Sequence, residues 1–412
     1  MNMTLEQCLE YAKENSITLK QAKLQINDRL AEELSASGVF LPSVSGYISQ
    51  SLNSSPLGSD DPTSKYTGSY GVNLSMPVFS GGKNKASLEQ SYLNTQIAEL
   101  SLEEQENSLE IAIAEVFVQM LYAMDEIEVS LNSLELSIKN LENGKVYLDL
   151  GSINTADYAQ LESAKADSDY AVIVAQTTLS NLQVRLKHLL EISQDIEIVA
   201  VAPELDDDKI MVPLSSVQST YNTALEIRPE IKSSTISIAS AELSETIAKA
   251  GFLPSLSLSA GAGVSHSSAS DFTFSGQLRE NFSTSIGASI SIPIFSNYQN
   301  KTALTKAQNS ITSATLALTE AEKDLYQTIE SLHNNASNAQ AQYIVSSYKL
   351  EATEKSLNLV TEQYNLGVKN IIDLLTEQDN YRSSTQDYLV NKYQFILNKA
   401  LLEYYKTDQI KL

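Results

Sequence analysis

Two stretches of this chain repeat one another in order. Gly38-Val39-Phe40-Leu41-Pro42-Ser43 returns as Ala250-Gly251-Phe252-Leu253-Pro254-Ser255. Ser75-Met76-Pro77-Val78-Phe79-Ser80 returns as Ser291-Ile292-Pro293-Ile294-Phe295-Ser296, and Asn84-Lys85 as Asn300-Lys301. Leu150-Gly151 with Asp157 returns as Leu366-Gly367 with Asp373. The offset is about 212 residues for the first phrase and about 216 for the others, the change falling in the loop between strands. Any fold must therefore be buildable from two copies of one unit.

The units are read as residues 1–198 and 214–412. The linker between them, 199–213, carries Pro203, Asp206, Asp207, Asp208 and Pro213. Periodicity predicts one order of elements in both. The first unit has a helix of roughly 35 residues, strands at 39–52 and 66–79, a long helix at 84–146 and a helix at 155–192. The second has a helix, strands at 254–265 and 282–295, a long helix at 300–366 and a helix at 370–406. Ile113, Phe117, Met120, Met124, Ile127 and Leu131 step by four and three, as do Ile329, Leu332, Ala336, Ala339, Tyr343 and Ser346. Such 3.5-residue spacing indicates coiled-coil packing. A helix over 84–146 would be about 95 Å long, and helices over 4–37 and 155–190 about 50 Å each. Two short helices stacked end to end would match one long one in the wall of a tube.

The strands alternate strictly. Leu256, Leu258, Ala260, Ala262 and Val264 interleave with Ser255, Ser257, Ser259, Gly261 and Gly263. Phe282, Thr284, Ile286, Ala288 and Ile290 interleave with Ser283, Ser285, Gly287 and Ser289. Residues 66–76 and 43–49 follow the same rule. Period two places these sets on opposite faces. A soluble sheet puts Lys, Glu and Arg on its wet face; here that face is Ser, Gly, Thr and Asn, which suits a narrow lumen. The strands approach the length needed to cross a bilayer at a tilt. The loops at Gln50–Lys65 and His266–Asn281 are long and polar, like external barrel loops. Four strands cannot close around a lumen, so this pattern needs a dimer of eight strands or a trimer of twelve.

Charge narrows the functions. With 28 Lys and Arg against 51 Asp and Glu, a net charge of −23, the chain lacks the basic footprint that nucleic acid requires. No run is long and apolar enough for a transmembrane helix. Met1–Glu10 is amphipathic, not a signal peptide, so an exported protein would have lost its leader. The single Cys8 precludes an internal disulfide. His188, His266 and His333 stand apart from other ligand residues, and Ser80-Gly81-Gly82-Lys83 lacks the remaining residues of a phosphate loop. Neither an enzyme nor a bound cofactor or metal is expected.

The duplication, the Phe-Leu-Pro entry to a strand and the Pro-x-Phe exit into a very long helix resemble the TolC-like outer membrane efflux family. Arg228-Pro229-Glu230-Ile231, Leu150-Gly151…Asp157 and Tyr364-Asn365-Leu366-Gly367…Asp373 read as phrases of the same family. The resemblance implies a mainly α fold with a small membrane β-barrel portion. Three chains would form a 12-strand β-barrel on a 12-helix α-barrel, in the outer membrane of a Gram-negative bacterium with a periplasmic extension. It implies outer-membrane lipid, a periplasmic adaptor (membrane fusion) protein and an inner-membrane pump or exporter as partners. It places the closed tip at Gly144–Thr155 and Gly367–Asn370, with Leu150, Gly151, Leu366 and Gly367 facing the adaptor. It assigns Asp373, Asp157, Tyr364 and Lys369 to a gate, with a Lys369–Asp157 link; Thr376 stands where some members carry a further ring aspartate, with Glu377 and Asp379 nearby. From the residues alone, Asn154, Thr155, Asp157 and Asp373 all lie near helix starts, where they also suit caps. The rival from another class is a secreted, filament-like coiled coil, which leaves the paired Ser/Gly-faced strands unexplained.

Overall fold

The computed structural model describes residues 1–53, 65–193, 195–196, 198–202 and 213–412. The chain runs β1 (Asn2–Met3), α1 (Leu5–Asn15), α2 (Ile17–Gly38), β2 (Ser43–Asn53), β3 (Lys65–Phe79), α3 (Lys83–Asp149), α4 (Thr155–Leu190) and β4 (Val199–Ala200). It continues with α5 (Val217–Ile227), α6 (Pro229–Ala250), β5 (Ser255–Ser267), α7 (Phe274–Glu280), β6 (Ser283–Ser291), α8 (Gln299–Asn365) and α9 (Ile371–Thr407). The fold is mainly α with a small β portion. No described helix is long and apolar enough to cross a membrane.

Several boundaries differ from expectation for identifiable reasons. The first helix breaks at Ser16, whose backbone is extended and whose Oγ accepts from Leu19 N–H. Its counterpart breaks at Arg228, where Pro229 disfavours helical backbone in the residue before it. β2 starts at Ser43, just after Pro42, and β6 stops at Ser291, short of Pro293. The 266–281 loop extends β5 to Ser267 and holds the short helix α7. Most of the Gln50–Lys65 loop, and linker residues 203–212, lie outside the described residues.

Residues 1–23, 101–232 and 320–412 form one compact unit. Its core packs Leu5, Cys8 and Ala12 of α1 with Ile113, Phe117 and Met120 of α3, Leu186 and Leu190 of α4, and Ile396 and Tyr404 of α9. Thr4 caps α1 through a reciprocal bond pair with Gln7. β1 and β4 form a parallel pair, Asn2 with Val199 and Met3 with Ala200. Burial pushes the Cys8 thiol up to about 12.

Residues 24–100 and 233–319 form the second unit, which holds an antiparallel sheet of order β2-β3-β5-β6. Its register sorts the side chains cleanly. Val44, Leu74, Ala260 and Ile286 make one cross-strand row; Ser45, Asn73, Gly261 and Ser285 make the next, on the other face. On the apolar face Val44, Ile48 and Ile286 are open to solvent, 66%, 76% and 91% exposed. Lys65, at a strand end, is the one Lys, Arg, Asp or Glu in the four strands. On the polar face Tyr47 lies across Gly71, where a Cβ would meet its ring at 2.7 Å.

At the end of the sheet nearest α7, β5 runs four residues past its last pairing with β6, Gly263 with Ser283. Side-chain amides of α7 and the residue after it take the place of the missing strand. Gln277 Oε1 accepts from Ser267 N–H at 2.7 Å while its Nε2 donates to Ser267 C=O at 3.0 Å. Asn281 Nδ2 donates to Ser265 C=O at 2.7 Å. Here the His266 ring fills the space over Gly68, stacks on Tyr70 and meets the edge of Phe274.

Candidate functional site: the two hairpin turns

The sequence-predicted site residues gather where α3 turns into α4 and α8 into α9. Both turns have one design. α3 and α8 end on glycines in left-handed backbone, Gly151 at φ 72° and Gly367 at φ 73°, which a residue without Cβ adopts freely. Ser152 N–H bonds Tyr147 C=O and Gly151 N–H bonds Leu148 C=O; Val368 with Gln363 and Gly367 with Tyr364 repeat the pattern. This double bond closes the carbonyl end of each helix in a Schellman motif. Leu150 and Leu366, just before the glycines, are 71% and 79% exposed.

The next helices open on matching capping boxes. Asn154 Oδ1 accepts from Asp157 N–H at 2.9 Å, and Asp157 Oδ2 accepts from Asn154 N–H at 3.4 Å. Asn370 and Asp373 make the same two bonds at the same two distances. The reciprocal pair satisfies two of the donors a helix start leaves open. The first turn is thus Leu150–Asn154, tighter than the expected Gly144–Thr155, and Gly144 lies within α3. It lets α4 come close: a Cβ at Gly144 would fall 2.2 Å from Leu161 Cδ1. The cap reading of Asp157 and Asp373 holds, with the asparagines as N-caps and the aspartates as their partners three residues on.

An apolar cluster joins the hairpins. Leu161 of α4 is buried with Ile371 and Leu374 of α9, and Leu141, Ile153, Leu357, Val360 and Tyr364 pack around them. The Tyr364 ring meets Tyr147 edge-on, with centroids 6.3 Å apart. Burial raises the pKa of the Tyr364 phenol, with further contributions from the Tyr147 hydroxyl and the Asp157 carboxylate. Tyr364 and Asp157 are therefore electrostatic neighbours across the two hairpins. Within the chain Lys369 Nζ lies 3.6 Å from Asp373 Oδ2, one turn along, and is not paired with Asp157 of the same chain. Both partners are about two-fifths exposed, so the pair adds little stability. Thr376 bonds back to Ile372 C=O, and Asp379 pairs with Arg382. No turn signal marks Tyr147, Ile153 or Leu161, and the apolar spacing of α4 points to Leu161 alone.

A family model described as "Outer membrane efflux protein" matches residues 8–190 and 220–403, one stretch for each repeat. The chain belongs to the outer membrane efflux protein family. Outer membrane protein TolC of Escherichia coli (strain K12) is 22% identical over 322 residues, covering 74% of this chain and 62% of that protein. Outer membrane efflux protein BepC of Brucella suis biovar 1 (strain 1330) is 21% identical, over 92% of this chain and 80% of its own length. Among solved structures, the Campylobacter jejuni CmeC outer membrane channel superposes with a TM-score of 0.84 at 18% identity, over 98% of this chain and 85% of that one. At that identity the likeness speaks to the fold. The match spans less than two thirds of the E. coli relative's length.

Proposed function

We propose that this chain is one protomer of an outer-membrane exit channel, a passive conduit opened at its periplasmic tip by an adaptor and an inner-membrane pump or exporter. The observation that carries the reading is the β2-β3-β5-β6 sheet. One face is mainly apolar and free of Lys, Arg, Asp and Glu, the other is mainly Ser, Gly, Thr and Asn with Tyr47 among them, and both outer strands are exposed along their whole length. An exposed apolar face suits lipid, and its fringe of Tyr66, Tyr70, Phe274 and Phe282 suits the bilayer interface. Unpaired edges β2 and β6 call for further strands, since a barrel abolishes edges. Three copies give twelve strands; family membership favours that homotrimer over a dimer. The filament reading gives such a sheet no purpose.

In this reading the repeats, 1–198 and 214–412, contribute two strands and one helical hairpin each. The hairpin turns form the tip. Leu150, Gly151, Leu366 and Gly367 face the periplasmic adaptor (membrane fusion) protein. Asp373 of three copies forms a ring of negative potential that attracts cations. Tyr364 beside Asp157, and Lys369 beside Asp373, act as polar restraints on opening. Located in the Gram-negative outer membrane, the channel does no chemistry and draws its energy from the pump.

The reading is tested by purification and conductance. The protein should need detergent, run as a trimer by light scattering and form cation-preferring pores in planar bilayers. A soluble monomer in plain buffer, or anion selectivity, would overturn it. Asp373→Ala should weaken block by a trivalent cation added at the periplasmic side.

A further inference from the structure

We infer, on the channel reading proposed above, that Tyr47 is a specificity-determining residue of the outer conduit: its ring is the surface on which a planar aromatic cation is slowed in passage. Among the described residues of the four strands, Tyr47 is the one aromatic side chain on the polar face; Phe79, beyond a register shift, pairs with Leu256 of the apolar face. Tyr47 stands in a row with Gly71, Gly263 and Ser283. The neighbouring rows carry Ser45 and Asn73 on one side, Ser49 and Ser69 on the other. Hydroxyls and amides offer a passing solute little that water does not, because one hydrogen bond replaces another. An aromatic ring offers dispersion and the negative potential of its face, which water does not match. A Cβ at Gly71 would meet Tyr47 Cε1 and Oη at 2.7 Å and Cζ at 2.8 Å, and one at Gly263 would meet Oη at 3.1 Å. The ring therefore reaches from β2 across β3 towards β5, in space that two glycines leave empty. Held along the wall, it is in place before a solute arrives, so little freedom is lost on stacking. Tyr47 is still 42% exposed, which leaves ring surface open to the conduit. The chain's net charge of −23 favours the cationic members of this solute class. An aromatic ring over strand glycines also supplies packing that they lack, so the test must separate that role from contact with solute.

The test uses the intact channel in planar bilayers, with N-methylacridinium added at the outer side and the concentration that halves the current as the readout. Tyr47→Leu should raise that concentration roughly threefold, the size expected of one exposed ring contact. Tyr47→Phe, which keeps the ring, should match the parent protein. Gly71→Ala, whose methyl would take the ring's place while the hydroxyl rows stay, should raise the concentration as well, so a Tyr47→Leu chain that fails to assemble does not spare the inference. Tetraethylammonium, a cation without a ring, should block the parent and Tyr47→Leu channels alike. Unchanged block by N-methylacridinium in Tyr47→Leu or in Gly71→Ala overturns the inference, because the ring would then only pack over the glycines. An equal shift for tetraethylammonium also overturns it, because Tyr47 would then act through pore width. A parent protein that forms no pore overturns the channel reading, and the inference with it.

Discussion

At the first hairpin turn the residue before the cap is Ile153, packed into the apolar cluster with Leu161, Ile371 and Leu374. At the second it is Lys369, two-fifths exposed and paired to Asp373. Gly144 of the first hairpin corresponds to Val360 of the second, Leu148 to Tyr364 and Leu161 to Glu377. The backbone scaffold, by contrast, is shared: a left-handed glycine, an asparagine cap and an aspartate three residues on. One duplicated turn has thus been specialised in two directions. The first adds Ile153 and Leu161 to an apolar cluster that the second shares through Ile371 and Leu374, and the second alone places a lysine, Lys369, before its cap.

The comparison can be broken by substitution, with stability read from helical unfolding in detergent. The largest effect should come from Leu161→Ala, which opens a cavity beside buried Ile371 and Leu374 and should cost about 2–5 kcal/mol. Glu377→Ala, at the matching position, should stay within about 0.5 kcal/mol. Equal costs would remove the asymmetry. Next, Ile153→Lys should cost about 1–3 kcal/mol by forcing a charge against the cluster. Lys369→Ile should change stability by less than about 1 kcal/mol, as expected for a solvated pair.

Gly151→Ala and Gly367→Ala test the shared scaffold and should each cost about 1–2 kcal/mol, since both demand positive φ. A clear difference between them would mean that the two turns are not equivalent. The smallest effect concerns pH. The Tyr364 phenol titrates higher in the folded chain than its ordinary value of 10.0. Its contribution is therefore complete below that value and is lost as pH rises through the higher folded one. Tyr364→Phe should flatten the fall in stability between pH values of about 9 and 11. An unaltered pH profile would place the phenol in water.

Much of this was legible because the signals are local. The Leu-Gly…Asp phrases mark both turns, and strict alternation marks the strands. What lay hidden depends on contacts between distant residues or on a choice among equivalent neighbours. Nothing near Tyr147 announces that it meets Tyr364. Gly144, which the resemblance places at the start of the tip, is a helix residue that admits Leu161. The break at Ser16 has neither glycine nor proline; a hydroxyl bonding Leu19 N–H suffices. Lys369 could reach either aspartate in principle, and proximity along its own chain decided for Asp373.

Gln277 matters before the protein reaches any membrane. A newly made chain carries a sheet whose open backbone could recruit the wrong strand, and such margins seed aggregation. By pairing its amide with Ser267 N–H and C=O, Gln277 occupies the outermost stretch of β5 with a side chain that cannot itself be extended. The open margin of β5 is shortened accordingly, and errant zippering has no free end there from which to start.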